Sequence, residues 1–156
     1  MLPKIRSAEG TLDSKSRLTL PQPFRDELGK TFVLLQPLAR DDVRCLCLYA
    51  EEAYEALYND HLAQLPPGAR EEYERLSALN VTGVGLDAQY RFLIPSRMEK
   101  WAGMDKDREL RFLHSGNRIE IWTQSALTER ETKPAVSGAL EAIRRLSLTV
   151  SEGGGP

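Results

Sequence analysis

Apolar and polar residues alternate in two blocks of the chain, and each block follows the same order of predicted elements. In the first block a strand approaches Asp13, a short polar turn reverses it, and a second strand over 17–20 turns Leu18 and Leu20 inward. A proline ends that strand, and a short helix follows as far as Gly29. Two further apolar strands, TFVLLQP and CLCLY, come next. The pattern predicts a hairpin, a short helix and a second hairpin.

The second block repeats the first one 74 residues later, where LDAQYRFLIPSRMEKWAG follows LDSKSRLTLPQPFRDELG. Chance alone supplies about one identity over an alignment of this length, so several identities at structurally meaningful residue types favour a duplicated unit. The continuation agrees, because ELRFLH and RIEIW read as strands and SGN between them reads as a hairpin turn. In this copy Ser96 and Glu99 have the spacing of a capping box. The identical pairs are Leu12/Leu86, Asp13/Asp87, Arg17/Arg91, Pro21/Pro95 and Gly29/Gly103.

Helical patterns follow each block. EEAYEALYNDHLAQL and AREEYERLSAL read as two helices separated by the PPG at 66–68, and a further helix is expected over 136–146. The tail SEGGGP is expected to be disordered. We therefore expect a first repeat with its helices over 1–80, a second repeat with its C-terminal helix over 81–150, and a disordered tail over 151–156.

One such unit cannot bury both faces of its strands alone, since two hairpins are marginal without a further layer. Pairing with its own copy solves that problem. The predicted fold class is therefore α+β, with two units related by an approximate two-fold axis that wrap into one shared β-barrel. Equivalent hairpins would then present the two Asp-x-x-x-Arg turns.

Composition limits the functions that this fold can serve. The 156 residues are 41% hydrophobic and carry a formal net charge of −2, so the chain is not a simple basic nucleic-acid binder. Acidic residues are concentrated over 50–79, between two mildly basic blocks, which permits a locally positive face. We expect no membrane span, no signal peptide and a cytoplasmic location. Cys45 and Cys47 read as core residues, and no metal or other cofactor is expected.

The repeated turns hold the candidate chemistry. A carboxylate before a tight turn can accept backbone N–H groups and also hold an arginine four positions later, which aims the guanidinium at a phosphate or at guanine. Lys15 and Gln89 occupy the same position at the two tips. The alternative is that each pair only staples its turn. The candidate DNA-binding residues are Asp13, Lys15, Arg17, Asp87, Gln89 and Arg91. Arg25, Arg97 and Lys100 on the short helices are weaker candidates for phosphate contacts.

The double D-x-x-x-R motif, each copy followed by an apolar strand, a proline and a short helix, closely resembles the MraZ family of bacterial transcriptional regulators. The resemblance implies a swapped-hairpin barrel related to that of AbrB-type DNA-binding proteins. The family commonly has glycine before the arginine, where this chain has Ser16 and Tyr90. This departure bears on the second turn, because a tyrosine is poorly suited to positive φ.

The same resemblance implies a regulator that binds double-stranded DNA and often assembles into rings. Its expected targets are promoters with short repeated boxes upstream of cell-division and cell-wall genes. The chain is then expected to be a nucleoid-associated homo-oligomer with no small-molecule substrate.

Two other classes of function compete with this interpretation. In a ring-forming interaction scaffold, both Asp–Arg pairs would be purely structural. An enzyme is disfavoured because the sequence has no histidine-centred triad, Walker loop, dinucleotide fingerprint or metal-ligand spacing. A carboxylate beside an arginine is also neutralised and is not poised as a base.

Overall fold

The fold is taken from a computed structural model that describes residues 7–38, 44–132, 138–139 and 141–146. The described residues form eight strands: β1 (Ser7–Thr11), β2 (Arg17–Thr19), β3 (Thr31–Leu35), β4 (Leu46–Ala50), β5 (Val81–Gly85), β6 (Arg91–Leu93), β7 (Glu109–Ser115) and β8 (Arg118–Thr123). Five α-helices have both ends within the described residues: α1 (Arg25–Leu28), α2 (Glu51–Gln64), α3 (Pro67–Asn80), α4 (Ser96–Trp101) and α5 (Gln124–Glu131). A 3-10 turn over Gln22–Phe24 precedes α1. The chain divides into two compact units, residues 1–124 and 125–156.

The order of elements within the first unit confirms the α+β class, and each repeat has two strands, a short helical segment and two further strands. The last two strands of each repeat pair as an antiparallel hairpin, whereas the first two do not pair with each other. Pro21 and Pro95 directly precede the two short helical segments. These segments end near Gly29 and Gly103, whose φ angles are 73° and 76°. The hairpin turn predicted at SGN, residues 115–117, is also present: Ser115 pairs with Arg118, and Gly116 between them has φ of 64°. These features form because proline fixes φ at a value suited to the first helical turn, and because glycine adopts positive φ without a steric penalty.

Strands of the two repeats pair with one another in a six-stranded antiparallel sheet of order β1-β7-β8-β4-β3-β5. The first strand of each repeat pairs with the third strand of the other, as β1 with β7 and β5 with β3. The last strands, β4 and β8, pair directly. This exchange gives each short repeat the neighbours that it lacks alone.

The second strands, β2 and β6, form a separate antiparallel ribbon. Leu18 pairs with Phe92, and these are equivalent positions, so the register is the one that a two-fold relation between the repeats requires. We refer to β2 and β6 together as the ribbon. Its inner side chains are fully buried and join the common core.

The expected closed barrel is not formed by the described strands. The six-stranded sheet is open, with β1 and β5 at its two edges. The ribbon strands are only three residues long and pair with each other, so they do not bridge those edges by a continuous ladder. A core cluster from both repeats fills the space between the ribbon and the sheet; its members include Phe24, Phe32, Phe92, Phe112, Leu18, Leu34 and Met104.

The helices after the first repeat agree with the prediction, although α3 begins at Pro67, inside the predicted separator, because proline is well suited to the first helical turn. In the second unit, residues 125–131 belong to α5, and residues 138–139 and 141–146 are helical. Residues 136, 137 and 140 of the predicted last helix, and the tail predicted as disordered, lie outside the described residues. The division into repeats over 1–80 and 81–150 stays a prediction.

Candidate nucleic-acid interface

The first turn is organised by the carboxylate of Asp13. Its Oδ1 accepts the backbone N–H groups of Lys15 and Arg17 at 2.9 and 2.8 Å, and its Oδ2 accepts Nε of Arg17 at 2.9 Å. The main chain closes the turn through Asp13 N–H to Arg17 C=O and Ser16 N–H to Asp13 C=O. One side chain therefore fixes both the backbone and the guanidinium.

The second turn repeats this arrangement with Asp87. Its Oδ1 accepts the N–H groups of Gln89 and Arg91 at 2.8 and 2.9 Å, and its Oδ2 accepts Nε of Arg91 at 2.9 Å. In each guanidinium only Nε is used, and the Nη groups have no hydrogen-bond partner within the described ranges. Both arginines are therefore held at Nε, and among the described residues nothing accepts a hydrogen bond from their Nη groups.

The residue before each arginine has a left-handed backbone. Ser16 has φ of 60° and Tyr90 has φ of 61°, so tyrosine adopts the conformation for which glycine is best suited. The two turns consequently have the same shape. The departure from glycine does not distort the second turn, although a tyrosine in this conformation carries strain of order 1 kcal/mol.

Both carboxylates are ionised at neutral pH. The backbone hydrogen bond from Arg17 is the main cause that lowers the pKa of Asp13, and the one from Arg91 does the same for the pKa of Asp87. Each Asp–Arg pair is therefore neutral as a whole. Lys15 adds a positive charge at the exposed tip of the first turn, whereas Gln89 leaves the second tip uncharged.

The ribbon places the two arginines on one face. Arg17 pairs with Leu93 and Thr19 pairs with Arg91 across the strands, while their neighbours Leu18 and Phe92 point into the core. Because side chains alternate along a strand and directly paired residues share a face, these four residues form the outer face of the ribbon. The two predicted arginines are thus brought to one face of the ribbon, with Thr19 and Leu93 as its other members.

The support behind the first turn is a buried carboxylate. Glu99 of α4 accepts a hydrogen bond from the Ser16 hydroxyl at 2.8 Å and forms an ion pair with Arg108 at 3.3 Å. Arg108 also donates to the backbone carbonyl of Asp13 at 2.9 Å. The predicted capping box is therefore wrong: Pro95 is the N-cap, and the Glu99 carboxylate accepts a hydrogen bond from Ser16 of the other repeat and pairs with Arg108 of its own repeat.

The support behind the second turn is a cation on an aromatic ring. The guanidinium of Arg25 lies 3.8 Å from the ring centroid of Tyr90, and its Nε donates to the backbone carbonyl of Leu20. Positions 25 and 99 are equivalent in the repeat alignment. Arg25 is therefore a supporting residue of the second turn, and Arg97 donates from Nη1 to the Leu79 carbonyl. A phosphate contact by either arginine stays a prediction.

Sequence reasoning missed these supporting residues for a definite reason. Glu99 and Arg108 meet the first turn from positions 83 and 95 residues away, which no local pattern reports. Strand alternation could have identified Thr19 and Leu93, since both lie two positions beyond a motif arginine. Across the part of the chain that the structure describes, no group of three or more His, Cys, Asp or Glu residues is placed to hold a metal, and no helix is long and apolar enough to span a bilayer.

The sequence is similar to those of several known bacterial proteins. A transcriptional regulator MraZ from Desulfitobacterium hafniense (strain DSM 10664 / DCB-2) is 33% identical over 143 residues, which is 88% of this chain and 94% of that protein. The MraZ regulator of Clavibacter michiganensis subsp. michiganensis is 34% identical over 113 residues, covering 71% of this chain and 74% of its own length. The MraZ regulator of Caldanaerobacter subterraneus subsp. tengcongensis is 31% identical over 131 residues, covering 83% and 87%. No family model matches the chain.

Proposed function

The chain belongs to the MraZ family of transcriptional regulators, and we propose that it binds double-stranded DNA through the outer face of its ribbon and so regulates transcription. The observation that supports this proposal most strongly is the pair of guanidinium groups, each fixed at Nε by an aspartate and open at Nη. Asp13 and Asp87 act here as positioning residues for Arg17 and Arg91.

The chemistry of the face suits a groove of DNA. A two-stranded ribbon fits the major groove, and a guanidinium can donate two parallel hydrogen bonds to guanine O6 and N7 or to phosphate oxygens. Prior fixation at Nε reduces the side-chain entropy that each arginine would lose on binding. Lys15 and Gln89 at the tips would reach the flanking DNA backbone, the former as a phosphate contact and the latter as a hydrogen-bonding amide.

Several copies are needed in this proposal. With a formal net charge of −2 and neutral Asp–Arg pairs, one chain offers few unbalanced positive charges, so a single contact would be weak. A homo-oligomer, in our proposal a ring, would grip repeated promoter boxes with repeated subunits, and multivalency would raise the total affinity. We place the expected boxes upstream of cell-division and cell-wall genes and the protein at the nucleoid in the cytoplasm. It would need no cofactor or small-molecule substrate.

We also propose that the two repeats form a swapped-hairpin core of approximate two-fold symmetry. The exchange of strands between repeats, β1 with β7 and β5 with β3, supports this, as does the pairing of Leu18 with Phe92. Such a core places both turns at equivalent ends of the ribbon.

The competing scaffold function rests on the same hydrogen bonds. Each arginine stabilises its own turn through Nε, so the pairs would be useful even without DNA. The two functions differ in one respect: DNA binding uses the open Nη groups, while a scaffold requires only the staple within the turn.

The experiment selects bound fragments from random DNA and then measures affinity by gel shift between about 50 and 200 mM salt. We expect affinity to fall steeply with salt and the Arg17→Ala, Arg91→Ala double variant to lose at least tenfold. Arg75→Ala is the matched control, because Arg75 lies on α3 beside Glu71 and Glu72. A wild-type protein that enriches no DNA, or a double variant that binds as well as the control, would overturn the proposal.

A second measurement addresses the oligomer. Duplexes with one selected box and with three or four tandem boxes are compared at equal box concentration. We expect far tighter binding to the tandem duplex. Equal affinity per box would remove the multivalent mechanism while leaving DNA binding intact.

A further inference from the structure

Leu93 is an exposed leucine in the middle of the candidate DNA-binding face. It is 59% exposed, although its strand neighbours Phe92 and Ile94 are almost fully buried. It lies in the ribbon directly opposite Arg17. A single exposed leucine is common on protein surfaces. Leu93 is distinguished by its place, because it lies on the same face of the ribbon as Arg17 and Arg91 and is open to a partner that binds there.

We propose that Leu93 is a specificity-determining residue that contacts the C5 methyl group of a thymine next to the base pair read by Arg17. This inference rests on the proposed DNA binding and deepens it. It assigns one base class to one position of the ribbon, a role that the motif residues alone do not supply.

The major groove gives an exposed aliphatic side chain one specific partner. Thymine alone presents a methyl group there, whereas the other bases present only hydrogen-bond donors and acceptors. Paired residues on one face of a ribbon have Cβ atoms about 5 Å apart, which lies between one and two base-pair rises of about 3.4 Å each. Leu93 would therefore meet the same base pair as Arg17 or the next one.

The choice of DNA as the occupant follows from the surrounding charges. Arg17 lies across the ribbon from Leu93, and Arg91 lies two positions before it on the same face. The two guanidinium groups suit an anionic partner, and the leucine between them suits a partner that also presents a methyl group. A purely apolar partner would leave those groups unpaired on burial.

The inference makes the two ends of the ribbon unequal. Thr19 occupies the position equivalent to Leu93 and lies opposite Arg91. One end therefore combines Arg17 with Leu93, and the other combines Arg91 with Thr19, whose hydroxyl also offers a hydrogen bond. One chain should read two different halves in a defined orientation, despite the two-fold relation of its backbone.

The test uses the DNA selected by the wild-type protein, with each thymine replaced in turn by uracil, which lacks only the methyl group. We expect one position in the half read by Arg17 at which the replacement weakens wild-type binding about fourfold, the value for one buried methyl-sized group. Leu93→Ala should bind the thymine and uracil duplexes equally at that position. Thr19→Ala is the matched control and should keep the fourfold difference there.

The possible outcomes distinguish a failure of the role proposed for Leu93 from a failure of the proposed DNA binding. Wild-type protein that selects no DNA removes both. Strong selection with no uracil-sensitive position, or sensitivity that Leu93→Ala retains, overturns the role of Leu93 and leaves DNA binding in place. A fall in oligomer mass for Leu93→Ala, measured by light scattering, would show that another copy covers the leucine and would also overturn the inference. Because Leu93 is exposed, the variant is expected to fold, and its melting temperature checks this.

Discussion

The two turns share one hydrogen-bond skeleton and differ in what stands behind it. In both, an aspartate holds two backbone N–H groups and one guanidinium, and the residue before the arginine has positive φ. Behind the first turn, Ser16 donates to the buried Glu99; behind the second, Tyr90 lies under Arg25. The part that aims each arginine is duplicated, whereas the part that supports it has diverged.

This divergence is matched across the repeats. The residue before each arginine contacts the short helix of the other repeat at equivalent positions, 99 and 25. A serine meets a carboxylate in one case, and an aromatic ring meets a guanidinium in the other. Two contacts with different chemistry can therefore hold the same turn, provided that both partners of each contact are present together.

The largest expected effect comes from removing the buried support of the first turn. Glu99→Ala takes away the acceptor of Ser16 and the ion-pair partner of Arg108 and should lower the free energy of unfolding by about 2 kcal/mol. Urea denaturation measures this. Glu71→Ala, which affects only an exposed pair on α3, should cost less than about 0.5 kcal/mol. Equal losses in the two variants would contradict the supporting role of Glu99.

A smaller effect separates the two positive-φ residues. Glycine relieves backbone strain at both positions, but Ser16→Gly also removes a donor from a buried carboxylate, so we expect a net loss of about 1 kcal/mol. Tyr90→Gly loses only a partly exposed cation–π contact of about 0.5–1 kcal/mol, which the relieved strain offsets. Thermal unfolding of both variants checks the order. A greater loss for Tyr90→Gly would reverse our ranking of the supports.

A further test replaces the Tyr90–Arg25 contact behind the second turn by the serine–carboxylate contact found behind the first. Arg25→Glu and Tyr90→Ser are made singly and together, and a double-mutant cycle gives their interaction energy. We expect the double variant to be about 1 kcal/mol more stable than the sum of the single changes predicts, since the new carboxylate and hydroxyl form the contact seen between Ser16 and Glu99. Simple additivity would show that the match is incidental.

The smallest effect concerns pH and should be alike in the two turns. Backbone hydrogen bonds lower the folded-state pKa of Asp13 and Asp87 below the ordinary value of 3.8. The stability they contribute is therefore fully present above that value and is lost as pH falls through the lowered folded pKa. Carbon NMR of the two carboxyl groups should give both midpoints below 3.8. A titration midpoint above 3.8 for Asp87 alone would show that the hydrogen bonds of the two turns are not equivalent.

Local chemistry explains how much of the fold and site could be predicted. The two Asp-x-x-x-Arg turns, the prolines before the short helical segments and the positive φ of Gly29 and Gly103 depend on residues within a few positions, so their signals lie in the sequence. The capping box does not form because the Glu99 carboxylate accepts a hydrogen bond from Ser16, which is 83 residues away along the chain. The closed barrel failed because a ribbon of three-residue strands pairs with itself.

The sequence by itself determined the duplicated unit, the kind of turn that each copy makes and the residue types that the turns present, because these follow from short-range backbone geometry and from the repeat. Only the tertiary structure decided that the strands exchange between repeats, that Arg17 lies opposite Leu93 and Arg91 opposite Thr19, and that Glu99 and Arg25 stand behind the opposite turns. Those contacts join residues that are distant along the chain. Which partners meet is set by the packing of the whole core and not by any local pattern.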